Sequence, residues 1–267
     1  MQATIKKIIS FEGIGIHTGT YGKMVVMPAP ENTGIVFNCN GHSIPASIDY
    51  VCDTIHGVNL KHNNIEIKSC EHILSTLYGM GITNAIIELI EGKEIPAMDG
   101  SSKAFVESIE IATQTIAKRV VKPTEPIFMT TKDSAIFLSP ADEFKISFVA
   151  EYNYPGFTPQ YKSLVISPEV YANEIAPSRT YTFTGWVENL KKQGLIQGGS
   201  MENALIMDEN GALNGLRFPD EPVRHKMLDI IGDIALAGVS LKCWIFGIKS
   251  GHSLNCELAR RLKCSLI

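Results

Sequence analysis

The chain has 267 residues, with 24 Lys plus Arg against 28 Asp plus Glu and a formal net charge of −4, so no overall positive field favours nucleic acid or an anionic membrane. Its composition, 45% hydrophobic with 22 Gly and 13 Pro, is that of a globular protein long enough to bury a core without disulfides, and its six cysteines show no Cys-x-x-Cys pairing. No 18-residue apolar stretch exists to span a membrane, and the start, MQATIKKIISFEG, lacks the apolar run and cleavage site of a signal peptide, so a reducing, cytoplasmic location is expected.

In chain order, Ile5 to Phe11, Gly22 to Met27, Gly34 to Cys39 and Asn64 to Ile67 read as short strands, separated by turn clusters such as Pro28-Ala-Pro-Glu-Asn-Thr-Gly34. A helical period begins near Cys70, where Ile73, Leu74, Leu77 and Tyr78 share a face. Asn84 to Ile90 reads as a buried strand. Pro96-Ala-Met-Asp-Gly-Ser-Ser102 then offers caps for a second helix predicted over Ala104 to Thr115. Charge and proline accumulate between Ala117 and Pro126, which places a domain boundary there, with residues 1–120 on one side and 121–267 on the other. The second half repeats the order, with strands at Ile127 to Thr130, Ala135 to Leu138 and Lys145 to Ala150 before its helices. The fold class that follows is α+β, two domains each layering helices on a mostly antiparallel sheet.

Three segments carry chemistry. In Pro222-Val-Arg-His-Lys-Met-Leu-Asp-Ile-Ile-Gly-Asp-Ile-Ala-Leu-Ala-Gly238 the apolar residues cover most of a helix, while His225, Asp229 and Asp233 fall at i, i+4 and i+8 on one polar stripe. Carboxylates on a buried helix need a partner. A core network with Arg224 and Lys226 supplies one; a metal held by His225 and Asp229, with Asp233 orienting a further residue, supplies another. Glu71 and His72 stand at the start of the first domain's helix, diverging by roughly 100° on a regular helix. Both reach one cleft if that helix end points into it, as zinc hydrolases pair a ligand with a base. In Lys249-Ser-Gly-His-Ser-Leu-Asn255, His252 follows a predicted strand (Cys243 to Ile248) on a tight turn, a place for a general acid oriented by a carboxylate such as Asp233. Cys70 is expected to point away as a buried thiol. His42, His56 and His62 read as solvated, and His17 lies in the glycine-rich Gly13-Ile-Gly-Ile-His-Thr-Gly19.

Taken with Ile95-Pro-Ala-Met-Asp-Gly-Ser101, Ser178-Arg-Thr180 and Gly198-Gly-Ser200, these segments occur in an order that resembles the UDP-3-O-acyl-N-acetylglucosamine deacetylase family across nearly the whole chain. The resemblance implies zinc (or iron(II)) on His72, His225 and Asp229, Glu71 as general base, His252 supported by Asp233, and Thr180 at the oxyanion. It implies a ribosomal protein S5 domain 2-like fold, with the helices of two similar domains sandwiched between two sheets. An insert near residues 182–199 would form an acyl-chain passage, and here it offers Phe183, Trp186, Val187, Leu190, Leu195 and Ile196. Lys226 is the implied substrate-binding lysine. Tyr181 (where many members have phenylalanine), Lys249, Val187, Ile196 and Ser200 are further candidate substrate contacts. Arg179 is a plausible diphosphate contact and Tyr152 a stacking partner for the uracil. The implied enzyme is a zinc-dependent amidohydrolase of lipid A biosynthesis, a monomer acting on an acylated UDP-sugar.

Overall fold

The computed structural model describes residues 1–264. In the first half, β1 (Ala3–Ile5), β2 (Ile9–Ile14), β3 (Tyr21–Pro28), β4 (Ile35–Cys39), β5 (His42–Pro45), β6 (Val51–Asp53), β7 (Asn59–His62) and β8 (Ile65–Ile67) precede helix α1 (Glu71–Gly79). Strand β9 (Ala85–Glu91), helix α2 (Lys103–Ser108) and β10 (Ile111–Thr113) follow it. The second half holds β11 (Val120–Val121), β12 (Ile127–Thr130), β13 (Ala135–Pro140), β14 (Lys145–Ala150), β15 (Gln160–Val165) and the single turn α3 (Pro168–Val170). Then come β16 (Tyr181–Phe183), α4 (Thr184–Lys192), β17 (Leu205–Asp208), β18 (Gly211–Ala212), α5 (Glu221–Ala235), β19 (Ser240–Leu241), β20 (Cys243–Ile248) and α6 (His252–Cys264).

Two five-stranded sheets dominate, ordered β2-β3-β9-β4-β5 and β12-β13-β20-β14-β15. They are copies of one topology. In each, the late strand enters the middle, antiparallel to one neighbour (β3, β13) and parallel to the other (β4, β14). Each half also carries an insert at the same place, between its fourth sheet strand and its first long helix: β6-β7-β8 in one, and β16-β17-β18 with α4 in the other. The fold is α+β with two repeated sheet-plus-helix units, as the order of elements predicts.

The equivalent helices α1 and α5 pack against each other, and α5 packs also on α6 and on β14. Ile73, Leu74 and Leu77 of α1 and Met227, Leu228 and Ile231 of α5 are buried there, an apolar driving force set by the helical period of both segments. Ser75 Oγ donates to the Leu228 carbonyl at 2.8 Å, tying the two helices by a polar pin. Closest approach falls at Gly232, where a Cβ would meet the Glu71 carbonyl oxygen at 2.2 Å. Glycine there lets the start of α1 lie directly on the middle of α5.

One predicted helix is shorter than expected. The segment from Ala104 to Thr115 is helical only to Ser108, and Ile111–Thr113 forms β10 instead, antiparallel to β1. Alternation in Ser108-Ile-Glu-Ile-Ala-Thr113 suits a strand, and the open edge of β1 completes the pairing. Likewise Lys6 and Lys7 break the predicted Ile5–Phe11 strand, so Ala3–Ile5 and Ile9–Ile14 serve different sheets. All six cysteines are free thiols, four of them buried. No helix among the described residues is long and apolar enough to cross a membrane.

Candidate active site

A cavity of about 920 Å³ runs between the two halves. Its wall takes Glu71 and His72 from the N-terminus of α1, His225, Lys226 and Asp229 from α5, and His252 from the start of α6. Helix ends and a helix flank thus deliver side chains that lie far apart in sequence.

His72, His225 and Asp229 each offer one ligand atom, all within 4.8 Å of one another. Burial, and then the neighbouring His225, push His72 down to about 3, and burial also lowers His225. Both imidazoles are therefore neutral at pH 7, the form that binds a cation. His225 Nδ1 donates to the Ser178 carbonyl at 3.2 Å, which turns Nε2 towards Asp229 Oδ1, 3.3 Å away. Asp229 Oδ1 is buried and has no hydrogen-bond partner, while Lys226 Nζ bonds the other oxygen at 2.5 Å. Burial alone would favour the neutral acid, but Lys226 and the surrounding histidines hold Asp229 well below the usual carboxylate range. Two neutral imidazoles and an ionised carboxylate with an orphaned buried oxygen fit a divalent cation such as zinc. The core-network reading holds for the Lys226 side of Asp229 only. Arg224 turns away to Asp220 and Glu174.

Glu71 is buried, and its Oε2 accepts the Val58 N–H at 2.8 Å. Burial raises its carboxyl to about 7, in the range a general base needs near neutrality. His252 Nδ1 donates to Asp233 Oδ2 at 2.9 Å, and Asn255 Nδ2 donates to the same oxygen at 2.9 Å. Burial draws His252 down, but Asp233 and then Asp229 outweigh it and lift the imidazole to about 9. The ring is consequently a cation at pH 7.

Thr180 lines the cavity from the entrance of β16. Its N–H donates to the Gly100 carbonyl at 2.7 Å, and its own carbonyl accepts from Leu205 at 2.8 Å. Gly100 (φ +82°) approaches so closely that a Cβ would meet the Asn203 carbonyl at 2.0 Å. This explains the Asp-Gly-Ser turn, which Asp99 anchors further through Arg217 Nη2 at 2.8 Å. Tyr181 also lines the cavity, and its hydroxyl bonds that of Tyr152 at 2.5 Å. Val187, Ile196, Trp186 and Leu190 make an apolar stretch of the wall, with the buried Phe183 behind them stacked on Tyr154.

Three expected substrate contacts fall elsewhere. Lys249 and Ser200 are not on the cavity wall. Lys249 sits with φ +53°, its N–H on the Val149 carbonyl and its ammonium 4.0 Å from Glu151. Ser200 is used in a turn, its N–H on Asn203 Oδ1 and its Oγ accepting from the Glu202 N–H. Arg179 is buried against Glu221, with Nε and Nη2 on the two carboxylate oxygens at 2.8 and 3.0 Å and Nη2 on the Gly215 carbonyl at 2.6 Å. That pair holds the segment that leads through Thr180 into β16, and it commits Nε and Nη2 of Arg179 to structural partners.

The chain matches, over residues 2–264, the family model described as LpxC: UDP-3-O-acyl N-acetylglycosamine deacetylase. The chain belongs to the LpxC family. It is 39% identical over 270 residues to the UDP-3-O-acyl-N-acetylglucosamine deacetylase of Chlamydia felis, covering 98% of this chain and 96% of the relative. It is 40% identical over 267 residues to the protein of that name from Thermodesulfovibrio yellowstonii (98% and 91%) and 38% to that of Chlamydia trachomatis (98% and 94%).

Several residues of this LpxC-family site escape a reading of the sequence. The Ser178 carbonyl and the Val58 N–H are backbone groups and leave no residue-type signal. His56, expected to be simply solvated, is exposed but stands on the cavity wall with His17. Asn255 had a signal, being one helical turn after His252.

Proposed function

We propose that this chain removes the N-acetyl group of UDP-3-O-acyl-N-acetylglucosamine by hydrolysis, releasing acetate and UDP-3-O-acyl-glucosamine for lipid A biosynthesis. The observation that carries this reading is the meeting of His72, His225 and Asp229 on one cavity with a buried carboxylate of raised pKa, Glu71, and a cationic imidazole, His252. The printed names of the relatives supply the substrate.

His72, His225 and Asp229 hold the metal, zinc by donor type, with iron(II) as an alternative. A divalent cation there supplies polarisation of the acetamide carbonyl and acidification of water. Glu71 takes the proton of the attacking water. His252, kept charged and oriented by Asp233, faces the negative charge developing on the carbonyl oxygen, with Thr180 beside it. The leaving nitrogen receives its proton from the acid that Glu71 or His252 then provides. Lys226 presents its ammonium to the polar part of the substrate and Tyr181 its ring. The wall around Val187 and Ile196 takes the 3-O-acyl chain. The enzyme acts as a cytoplasmic monomer on this small molecule, with no nucleic-acid partner, and its two functional units meet near residue 120.

The test compares acetate release from UDP-3-O-acyl-N-acetylglucosamine with that from UDP-N-acetylglucosamine lacking the chain. With roughly 0.8 kcal/mol per buried methylene, loss of the chain should lower kcat/KM by about 10²-fold or more. Equal rates on the two would refute the acyl-sugar reading, and no acetate from either would refute the deacetylase.

A further inference from the structure

The glycine-rich segment Gly13-Ile-Gly-Ile-His-Thr-Gly19 places Ile16 and His17 on the cavity wall but has no step in the reaction, and a buried acid holds it there. Glu94, in the segment between β9 and α2, is 2% exposed, and its backbone is pinned by a parallel bridge to Lys68 at the end of β8. One carboxylate oxygen accepts the His17 N–H at 2.9 Å and Ser69 Oγ at 2.9 Å. The other accepts the Thr18 N–H at 2.8 Å and Thr18 Oγ1 at 2.6 Å. Four donors thus converge on one buried charge, which offsets its desolvation. Gly15 makes room for it, since a Cβ there would stand 2.3 Å from Glu94 Oε2.

The loop that Glu94 holds is the surface on which the insert of the second half closes. The Ile16 and His17 carbonyls accept the N–H groups of Gly198 and Gln197, each at 3.1 Å. A Cβ on Gly198 would lie 2.3 Å from the Gly15 carbonyl, so the two backbones touch. Ile16 and Ile196 flank this seam, and both stand on the cavity wall. The start of α1 is anchored separately, through Ser69 N–H on Asn59 Oδ1 at 3.1 Å and Cys70 N–H on the Val58 carbonyl at 2.9 Å. Removing the Glu94 charge weakens three bonds to the His17–Thr18 loop and one to Ser69 Oγ, so the seam is expected to loosen while the backbone anchors of Ser69 and Cys70 hold Glu71 and His72.

We propose that Glu94 is a specificity-determining positioning residue, which from the first half of the chain fixes the loop that completes the apolar wall formed by the second. The inference rests on the acyl-chain reading of that wall. It separates Glu94 from the groups that touch the reacting atoms, and it predicts a defect that scales with the chain.

The test measures kcat and KM for UDP-3-O-acyl-N-acetylglucosamine and for UDP-N-acetylglucosamine in wild type and Glu94→Gln, with thermal melting alongside. An amide turns its NH2 group towards donors, so the variant should lose about tenfold of the wild-type preference for the acylated substrate, mainly through KM. Its kcat on the chain-free substrate should stay within about threefold. Thr18→Val, which removes one of the four donors to Glu94 together with the hydroxyl's contacts to Thr20 and keeps the shape, should show a smaller fall in the same preference, and it decides the matter if Glu94→Gln does not fold. A wild-type preference with equal losses on both substrates in the variants overturns the role of Glu94 alone. No preference in wild type overturns the acyl-chain reading and this inference with it.

Discussion

At the scale of single residues, the site separates two titratable groups by environment. Burial raises the Glu71 carboxyl, whereas His252, also buried, is raised because it sits on the Asp233 carboxylate. Glu71→Ala and His252→Ala should each reduce turnover by about 10²-fold or more, while the purified protein still binds metal. Near-normal turnover in Glu71→Ala would remove it as the base. Glu71 must lose its proton to act as base and His252 must keep its own to face an oxyanion, so kcat/KM should rise as pH passes about 7 and fall as it rises through about 9. Asp233→Asn removes the charge that opposes burial and should move that falling limb down by about one pH unit or more. An unmoved limb would mean that Asp233 does not act through His252. The i, i+4 spacing made His225 and Asp229 legible as a pair, and the i+8 position marked Asp233. Spacing could not separate a metal site from an ion pair with Lys226, because the structure contains the pair on one oxygen and the orphan on the other.

At the scale of elements, the site depends on how closely two helices approach. The start of α1 rests on α5 at Gly232, whose missing Cβ leaves space for the Glu71 carbonyl. Gly232→Ala must push the helices apart and separate His72 from His225 and Asp229. The expected result is a loss of about 1–3 kcal/mol in chemical unfolding, with zinc affinity, measured by competition with a chromophoric chelator, down by about tenfold or more. Unchanged zinc affinity would show that the helices can part there without moving the ligands. The helices themselves were legible from their apolar period. The β10 strand was not, since Ile111–Thr113 becomes a strand only because β1, more than a hundred residues away in sequence, offers it an edge. A helix start and an edge strand compete for such a segment, and only the tertiary neighbour decides.

At the scale of the whole molecule, two copies of one sheet topology bring their first long helices together, and the residues proposed to hold the metal are divided between those helices. The shared order of strands and helices was visible in the sequence, but the sheet order was not. Strands β9 and β20 enter the middle of sheets whose other members precede them, a non-local pairing that no local pattern encodes. The partners of Lys249, Ser200 and Arg179 were not legible for a similar reason: a basic or polar side chain near a motif carries no sign of the turn or the carboxylate that occupies it. Assembly of the ligands from both halves is the central claim, and metal reconstitution tests it most directly. Protein stripped by a chelator should lose acetate release and regain it with about one equivalent of zinc or iron(II) per chain, whereas His72→Ala, His225→Ala and Asp229→Ala should neither bind nor regain it. Wild-type turnover in the stripped protein, or full binding and turnover in Asp229→Ala, would contradict it.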